Sequence, residues 1–563
     1  MNILGLNYYY HDTTASIVQD GKLIVAIEEE RLTRQKHTWS FPSHSAKKVM
    51  SVTNLRPEDF DHIAVSIRPT LNIAPRVAYG ISNLRNLKPF LKHEFISGSS
   101  KQRAFWKWFK QNWGSSTKKP QIHFIPHHIS HAAGSFYVSP YEKAALLGID
   151  GSGEWATAFL GYGEGNKITE YKQSYFPNSL GSFYEAITQF CGFQPNYDEG
   201  KTMGLAPLGN PNKHYEKMQK LVSIKKDGDI NIDLSYFSYQ FWGHNRFSKK
   251  FIDTFGSPRN KKEDFKQHHL DVAAAAQKVL EECILKLCDI LYKKTQADYL
   301  VMAGGVALNS VANGRIIRES NFKDIYIMPA AGDNGSGIGA SYYVYNKILN
   351  KSRNFVHLDP YIGTEYTNDH IKKLIDECKL NAEYHENICD KAAKLLNGGH
   401  ILGWFQGKME IGPRSLGNRS ILANPTLPHM KDKINAEVKH REAYRPFAPS
   451  CTYEAKSEFF ETDVEASFML KVCNVKEKWK EKLPAITHVD GSARLQTVRK
   501  EINPRYHELL TKFGMLSGAP VLLNTSFNIM GEPIVESPTQ ALRCFFSTGL
   551  DYLILGNYLI KKQ

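Results

Sequence analysis

The chain is 563 residues long, 42% hydrophobic and 23% charged, too long for one ordinary domain and suited to two to four globular ones with sizeable cores. No apolar run is long enough to span a bilayer, and the opening MNILGLNYYYHD lacks the basic-then-apolar order of a signal peptide. The net charge of +14 suits anionic partners, and eight Cys without a CxxC pair suggest neither a zinc knuckle nor a disulfide framework, which points to a reduced, cytoplasmic setting.

NILGLN predicts a first strand over 2–7, followed by the polar turn YYYHDTT. SIVQDGKLIVAI predicts two strands joined by Asp20-Gly21, the dipeptide of a type I′ hairpin. KQRAFWKWFKQNWG, over 101–114, predicts a basic aromatic helix. Such a helix can stack on nucleic acid or lie on a membrane, but the favoured reading packs its rings inside and leaves its lysines in water. PHHISHAAGSF then sets His127 and His131 at i, i+4, on one helix face. AALLGIDGSGEWATAFLGYGEGNKITEY repeats the opening order: a strand ending at Asp150, a glycine-rich acidic loop, and a hairpin through Gly163 to Asn166. Far downstream, MPAAGDNGSGIGA frames Asp333 in similar glycines.

Two imidazoles and two carboxylates make a mixed N and O ligand set for iron, zinc or manganese. HxxxH alone more often marks ordinary helix histidines, and no Glu follows His127 as HExxH requires; the two Asp loops favour the metal. The repeated strand, polar loop and hairpin describe an internal duplication. That is the layout of a duplicated actin-like (ASKHA, RNase H-like) α/β ATPase domain, in which nucleotide phosphates sit between the two units.

HHLDVAAAAQKVLEECILKLCDILYKKTQ predicts a helix from His268 to about Gln296 by its apolar spacing. A buried strand, DYLVMAGGVALN, follows, and Gly304 and Gly305 at its end let the backbone approach a nucleotide before a helix begins near Leu308. The helix IGASYYVYNKILNK closes a first domain over 1–355, Ser352 to Glu365 reads as linker, and a second domain covers 360–563. It opens with helices over Asp369 to Cys378 and Ile388 to Asn397 and the strand HILGWFQG. EGKTMGLAP, from Glu199, is not a P-loop, because no Gly stands where that pattern needs it; it reads as a substrate-side or metal-side loop.

The second domain clusters arginines among glycines: Lys408, Arg414 and Arg419 in GKMEIGPRSLGNRSILANP, Lys439, Arg441 and Arg445 in KHREAYRPFAPS, and Arg494 in DGSARLQTV. Arginine on such loops suits bidentate phosphate binding. Asn524, Thr525, Ser526 and Asn528 follow an apolar strand in VLLNTSFN, where hydroxyls and amides suit a carboxylate or phosphate. Any one arginine is better read as a structural ion pair; four such sites in one domain favour a pocket for an anionic small molecule.

The ordered set HD, EEERLTRQKH, HHISHA, DGSGEWAT, EGKTMGLAP, GGVALN, PAAGDNG, GPRSLGNRSILANP, REAYRPFAPS, HVDGSARLQTV and LNTSFN resembles the O-carbamoyltransferases of the NodU/CmcH/TobZ family from end to end. The resemblance implies an actin-like N-terminal domain and a YrdC-like twisted α/β C-terminal domain. It implies that the latter makes carbamoyl adenylate from carbamoyl phosphate and ATP, releasing phosphate and pyrophosphate. The carbamoyl group then passes internally to the first domain and onto a hydroxyl of a small-molecule or sugar acceptor. By that resemblance Arg414, Arg445 and Arg494 bind carbamoyl phosphate and triphosphate oxygens, and Asn524 and Ser526 hold the carbamoyl amide and carboxyl oxygens. Lys36, in RQKH, is expected to reach the pocket between the domains. His127, His131, Asp150 and Asp333 match the family's metal ligands, for iron(II), with magnesium for ATP. His11 matches a histidine needed for transfer, as general base or carbonyl polariser, and Asp12 orients its loop. Gly151, Gly304, Gly305 and Asn309 are expected at the nucleotide. Tyr8, Tyr9 and Tyr10 stand before His11, where some relatives carry an acidic residue, and phenols are poor bases at neutral pH. Asp233 is a candidate second base.

The rival readings are a transferase of the tRNA threonylcarbamoyladenosine type and a non-catalytic actin-like scaffold. Insertions around 66–120 and 205–265 are expected to shape the acceptor pocket. A homodimer is compatible with the sequence; a membrane or nucleic-acid partner is not expected.

Overall fold

The computed structural model describes residues 1–83, 87–92 and 97–562, so part of the 66–120 insertion lies outside the described residues. The chain divides into two compact units, one of Met1–Glu29 with His37–His357, the other of Glu30–Lys36 with Leu358–Gln563.

The first unit contains the same five-stranded sheet twice. Strands β1 (Asn2–Asn7), β2 (Thr14–Gln19) and β3 (Lys22–Glu28) form an antiparallel meander, and β4 (His62–Val65) and β5 (Gln121–Phe124) extend it in parallel, giving the order β3-β2-β1-β4-β5. Strands β6 (Lys143–Gly153), β7 (Ala156–Glu164) and β8 (Lys167–Tyr175) form the second meander. A short hairpin, β9 (Val222–Ile224) with β10 (Ile230–Ile232), is followed by β11 (Tyr299–Ala303) and β12 (Asp324–Ile327), parallel to β6, in the order β12-β11-β6-β7-β8. The two sheets have one topology, which is the duplicated actin-like architecture that the repeated sequence pattern predicts. Asp20 and Gly21 turn the first hairpin with φ of 48° and 82°, the left-handed pair a type I′ turn demands.

Helix His127–Phe136 packs on β6 and β11, and helix Ser336–Tyr342 packs on β1, β2 and β4. They meet through glycine: a Cβ on Gly339 would overlap the Ser130 carbonyl oxygen. This approach of two backbones sets the first turn of one helix beside the start of the other. Helix Gln267–Thr295 and helix Ser97–Trp113 lie where their apolar spacing predicts; in the latter Phe105, Trp108 and Trp113 are buried, as the packed reading requires.

The second unit is one mixed sheet. Its strands are β13 (Ala382–Tyr384), β14 (Leu402–Phe405), β15 (Arg419–Ala423), β16 (Ala448–Thr452), β17 (Lys471–Asn474), β18 (Ser492–Val498), β19 (Val521–Ser526), β20 (Tyr552–Leu555) and β21 (Tyr558–Lys561), ordered β13-β21-β20-β14-β15-β19-β16-β18-β17. Alternate residues point to opposite faces. Ile421, Leu523 and Leu555 join one buried cluster with Ala541 and Phe545 of helix Pro538–Phe546; Leu422, Leu522 and Ile554 join another with helices Ile388–Asn397 and Pro504–Ser517. Both faces are therefore covered, which explains why these strands read as continuous apolar runs rather than as alternations.

Candidate functional site

In the first unit the helix contact brings four distant residues to one point. His127 Nε2 and His131 Nε2 are each 3.3 Å from Asp150 Oδ2 and 3.3 Å from Asp333 Oδ1, and 3.0 Å from one another. Ligands about 2.1 Å from an ion stand about 3.0 Å apart at octahedral and about 3.4 Å apart at tetrahedral angles. These five separations match those that one transition-metal ion imposes, and the buried His/Asp group could hold one. Burial pushes the His127 imidazolium down, but Asp333 and Asp150 more than reverse this and hold it up to about 10. Asp333 is in turn held down at about 2, against its burial, by His127 and His11. Such a group is stable only with positive charge at its centre, supplied by protons or by a metal ion.

The surroundings fix these side chains. Glu154, at φ 53°, accepts from the His127 backbone N–H at 2.5 Å, and its own N–H donates to the Tyr10 hydroxyl at 2.7 Å. The Tyr10 ring lies edge-on to His127 at 5.0 Å. His128 shares a 3.0 Å hydrogen bond with the Ala156 carbonyl, and burial pushes it down to about 3, so it is a neutral structural residue.

His11 lies beside this group: Asp333 and Asp150 both raise its pKa, after Asp12, against the effect of burial. Asp12 bridges two imidazoles, His11 Nδ1 at 2.9 Å and His37 Nδ1 at 2.6 Å. This holds the His11 ring by Nδ1 and leaves Nε2 for a ligand. Tyr8, by contrast, is buried and stacked on Phe105 at 5.6 Å.

The residues expected at a nucleotide divide. The Gly151 and Gly305 amides donate to Asp150 Oδ1 at 2.9 and 3.2 Å, so both loops meet at this carboxylate. Gly304, at φ 88°, ends β11 where a Cβ would overlap the Ile149 carbonyl oxygen. Asn309 caps helix Ser310–Glu319 and exchanges two 3.1 Å hydrogen bonds with Gln277, so its side chain is engaged in the fold. Asp233 caps a short turn and bonds Ser235, an exposed structural role.

Three further groups here share no spacing in the sequence that would single them out together. Glu185, paired with Arg246 at 2.5 Å, lies against Gly151, and burial raises its pKa. Glu199, the first residue of EGKTMGLAP, is pushed up to about 7 by burial and then by Glu185. Lys101 reaches the Tyr9 carbonyl from the basic aromatic helix.

The second unit concentrates positive charge. Arg494, on β18, is driven well below the ordinary guanidinium value by burial and then by Arg414, Arg441 and Arg445. Burial and Arg445 lower Arg414 to about 10 and Arg441 to about 9. Burial and Arg441 lower Lys439 as well, and Lys36 adds to the effect. Among the described residues the ion pair of this cluster is Arg445 with Glu442, at 4.0 Å. The Nε atoms of Arg414 and Arg494 are buried with no acceptor. Mutually repelling, underpaired arginines in a part-buried setting are the signature of an anion site.

Asn524 donates to Ser450 Oγ and Gln496 Oε1, both at 3.0 Å, while its Oδ1 is buried with no donor. Ser526 Oγ donates to Asn528 Oδ1 at 2.7 Å and accepts from Lys439 at 3.3 Å. Lys36 closes the segment Glu30–Lys36, whose Arg31 donates to the Gly412 carbonyl at 2.6 Å, two residues before Arg414, and whose Arg34 donates to the Ile534 carbonyl at 2.8 Å. Arg419, which shares a motif with Arg414, is structural: it donates to the carbonyls of Gln406, Asn418, Thr364 and Gly407 and stacks on Phe405 at 3.6 Å.

Comparison with known proteins adds independent findings. Residues 2–342 match the family model "Carbamoyltransferase N-terminus" and residues 393–562 match "Carbamoyltransferase C-terminus". An uncharacterized protein of Synechocystis sp. is 39% identical, over 100% of this chain and 97% of its own length. The nodulation protein NolNO of Sinorhizobium fredii is 35% identical, over 99% of this chain and 80% of its own length. The 3'-hydroxymethylcephem-O-carbamoyltransferase of Amycolatopsis lactamdurans is 35% identical over 46% of this chain and 48% of its own length.

Proposed function

We propose, since this chain belongs to the carbamoyltransferase family, that its two units divide one carbamoyl transfer between them. The protein is an enzyme, a carbamoyltransferase. In our reading the second unit activates the carbamoyl group and the first delivers it to an acceptor hydroxyl.

Carbamate is a weak electrophile with a poor leaving group, so it must be activated. Carbamoyl phosphate gives phosphate and carbamate with water; a carbamate oxygen then attacks the α-phosphorus of ATP, and pyrophosphate leaves carbamoyl adenylate. Two anions must be brought together for this, and fixed cations offset their repulsion. Arg414, Arg445 and Arg494 would hold the phosphate oxygens, with Arg441, Lys439 and Lys36 adding to the same field. The Asn524 Oδ1, buried without a donor, suits the carbamoyl amide, and Ser526 suits an oxygen beside it.

In the first unit the acceptor oxygen attacks the carbonyl carbon and AMP leaves. Asp12 holds His11 by Nδ1, so Nε2 is the atom offered to the reacting groups, as the base for the hydroxyl proton or, when protonated, as the donor that polarises the carbonyl. His127, His131, Asp150 and Asp333 would hold a divalent ion, iron(II) in our reading, which would supply Lewis acidity at a phosphate oxygen. The acceptor is a sugar or secondary-metabolite hydroxyl. Eight free cysteines suit a cytoplasmic setting, and no helix among the described residues is long and apolar enough to cross a membrane.

The observation that carries this reading is the underpaired arginine cluster in a chain whose family match spans both units. Incubation with [13C]carbamoyl phosphate, ATP and a panel of hydroxyl acceptors tests it by mass spectrometry. Labelled carbamate on an acceptor with matching AMP is expected. Labelled product without AMP would contradict the adenylate route.

A further inference from the structure

The basic aromatic helix Ser97–Trp113 is mostly packing, but one of its lysines is not on the water face. Lys101 Nζ lies 5.0 Å from the Tyr9 ring centre, 6.0 Å from Tyr10 and 4.9 Å from Trp39, and it donates to the Tyr9 carbonyl oxygen. Among the described residues no carboxylate pairs with it. Burial pushes its ammonium down to about 8 against the pull of Asp333, so it is charged at neutral pH. Gly98, one turn earlier, makes room for this arrangement, since a Cβ there would overlap the Tyr9 hydroxyl.

Trp39 is 53% exposed, yet it is held between the Lys101 ammonium and the His11 ring, which is 5.8 Å away. An indole fixed on one side and open on the other is a stacking surface. Three aromatic rings around a cation are a common receptor for ligand ammonium groups. Here the chain's own ammonium fills that place, so a ligand amine arriving beside His11 meets like charge. Nearby negative groups are already engaged: Asp12 is shared by two histidines, Asp150 and Asp333 are each shared by His127 and His131, and Glu185 is paired with Arg246.

We propose that Trp39, Tyr9 and Lys101 form a wall of the acceptor site. Trp39 stacks on the apolar face of a sugar-like ring, and Lys101 makes the site select neutral or anionic hydroxyl compounds over cationic ones. The inference rests on the reading of His11 as the group that meets the acceptor hydroxyl or the carbonyl it attacks.

Saturation-transfer NMR on the full chain, with methyl glucoside, glucuronate and glucosamine as neutral, anionic and cationic probes, tests it. The wild type should bind the first two at least about ten-fold more tightly than glucosamine, about one tenfold step in Kd. Trp39→Ala should weaken methyl glucoside about five-fold, as loss of an aromatic contact does, and Trp39→Phe should keep most of the binding. Lys101→Met should bring the neutral-to-cationic gap within about two-fold, and Lys101→Glu should reverse it. Equal binding of glucosamine by the wild type, or a gap that survives Lys101→Met, would overturn the proposal. So would failure of every probe to bind. Pyrophosphate release by the wild type without acceptor separates the two failures: release with no probe bound overturns this wall alone, and no release overturns the functional reading.

Discussion

Arg494→Met separates the ligand-binding cost of the arginine cluster from its folding cost. In the ligand-free protein Arg494 is part-buried and repelled by three arginines, and its Nε is buried with no acceptor. Replacing a part-buried, poorly compensated charge by an apolar side chain of similar length is expected to stabilise by about 1 kcal/mol. The same change removes a charge-assisted contact that forms only when phosphate oxygens arrive, which costs about 3–4 kcal/mol, or about 10²–10³ in pyrophosphate release. Thermal unfolding should therefore show the variant melting higher than wild type without ligand. The order should reverse when ATP and carbamoyl phosphate are present, because wild type gains from binding and the variant does not. A variant that melts lower without ligand, or one that keeps wild-type pyrophosphate release, would refute the reasoning that this cluster is kept underpaired for an anion.

Asp333→Asn should weaken metal binding by more than about 100-fold, read as metal content after dialysis, while circular dichroism stays native. Retention of one equivalent of metal would remove Asp333 from the ligand set. Glu199 has a folded pKa near 7 against an ordinary 4.5, so its stabilising contribution is full below pH 4.5 and is lost as pH rises through 7. Glu199→Gln should flatten stability between those pH values, and an unchanged slope in urea titrations would contradict this. Arg419→Lys should lower stability by about 2 kcal/mol or more, since it strands carbonyl acceptors inside the second unit. Wild-type unfolding of that variant would show that those bonds are dispensable.

The first unit was largely legible because its signals are local. A strand, a polar loop and a hairpin occupy one short stretch, and Asp20-Gly21 announces its own turn. The His127–His131 pair is legible for the same reason, and Asp150 and Asp333 stand in glycine frames that mark strand ends. What places the four together, the contact of two helices at Gly339, leaves no local trace. Arg414 and Arg419 lie in one motif, yet one sits in the cation cluster and the other threads among four carbonyls. Only the pairing of β14 with β15 separates them. The segment Glu30–Lys36 follows β3 directly, and its partners Gly412 and Ile534 lie hundreds of residues away. Glu185, Lys101 and Trp39 come from three segments without a shared spacing, and the order of the nine-stranded sheet is set by equally distant pairings.

The most direct test of the central claim is pyrophosphate release by the full chain with carbamoyl phosphate, ATP and iron(II), and no acceptor. Release that requires carbamoyl phosphate, with carbamoyl adenylate seen by mass spectrometry, is the predicted result. Release only with threonine and bicarbonate, or tight ATP binding with no release under either condition, would contradict it.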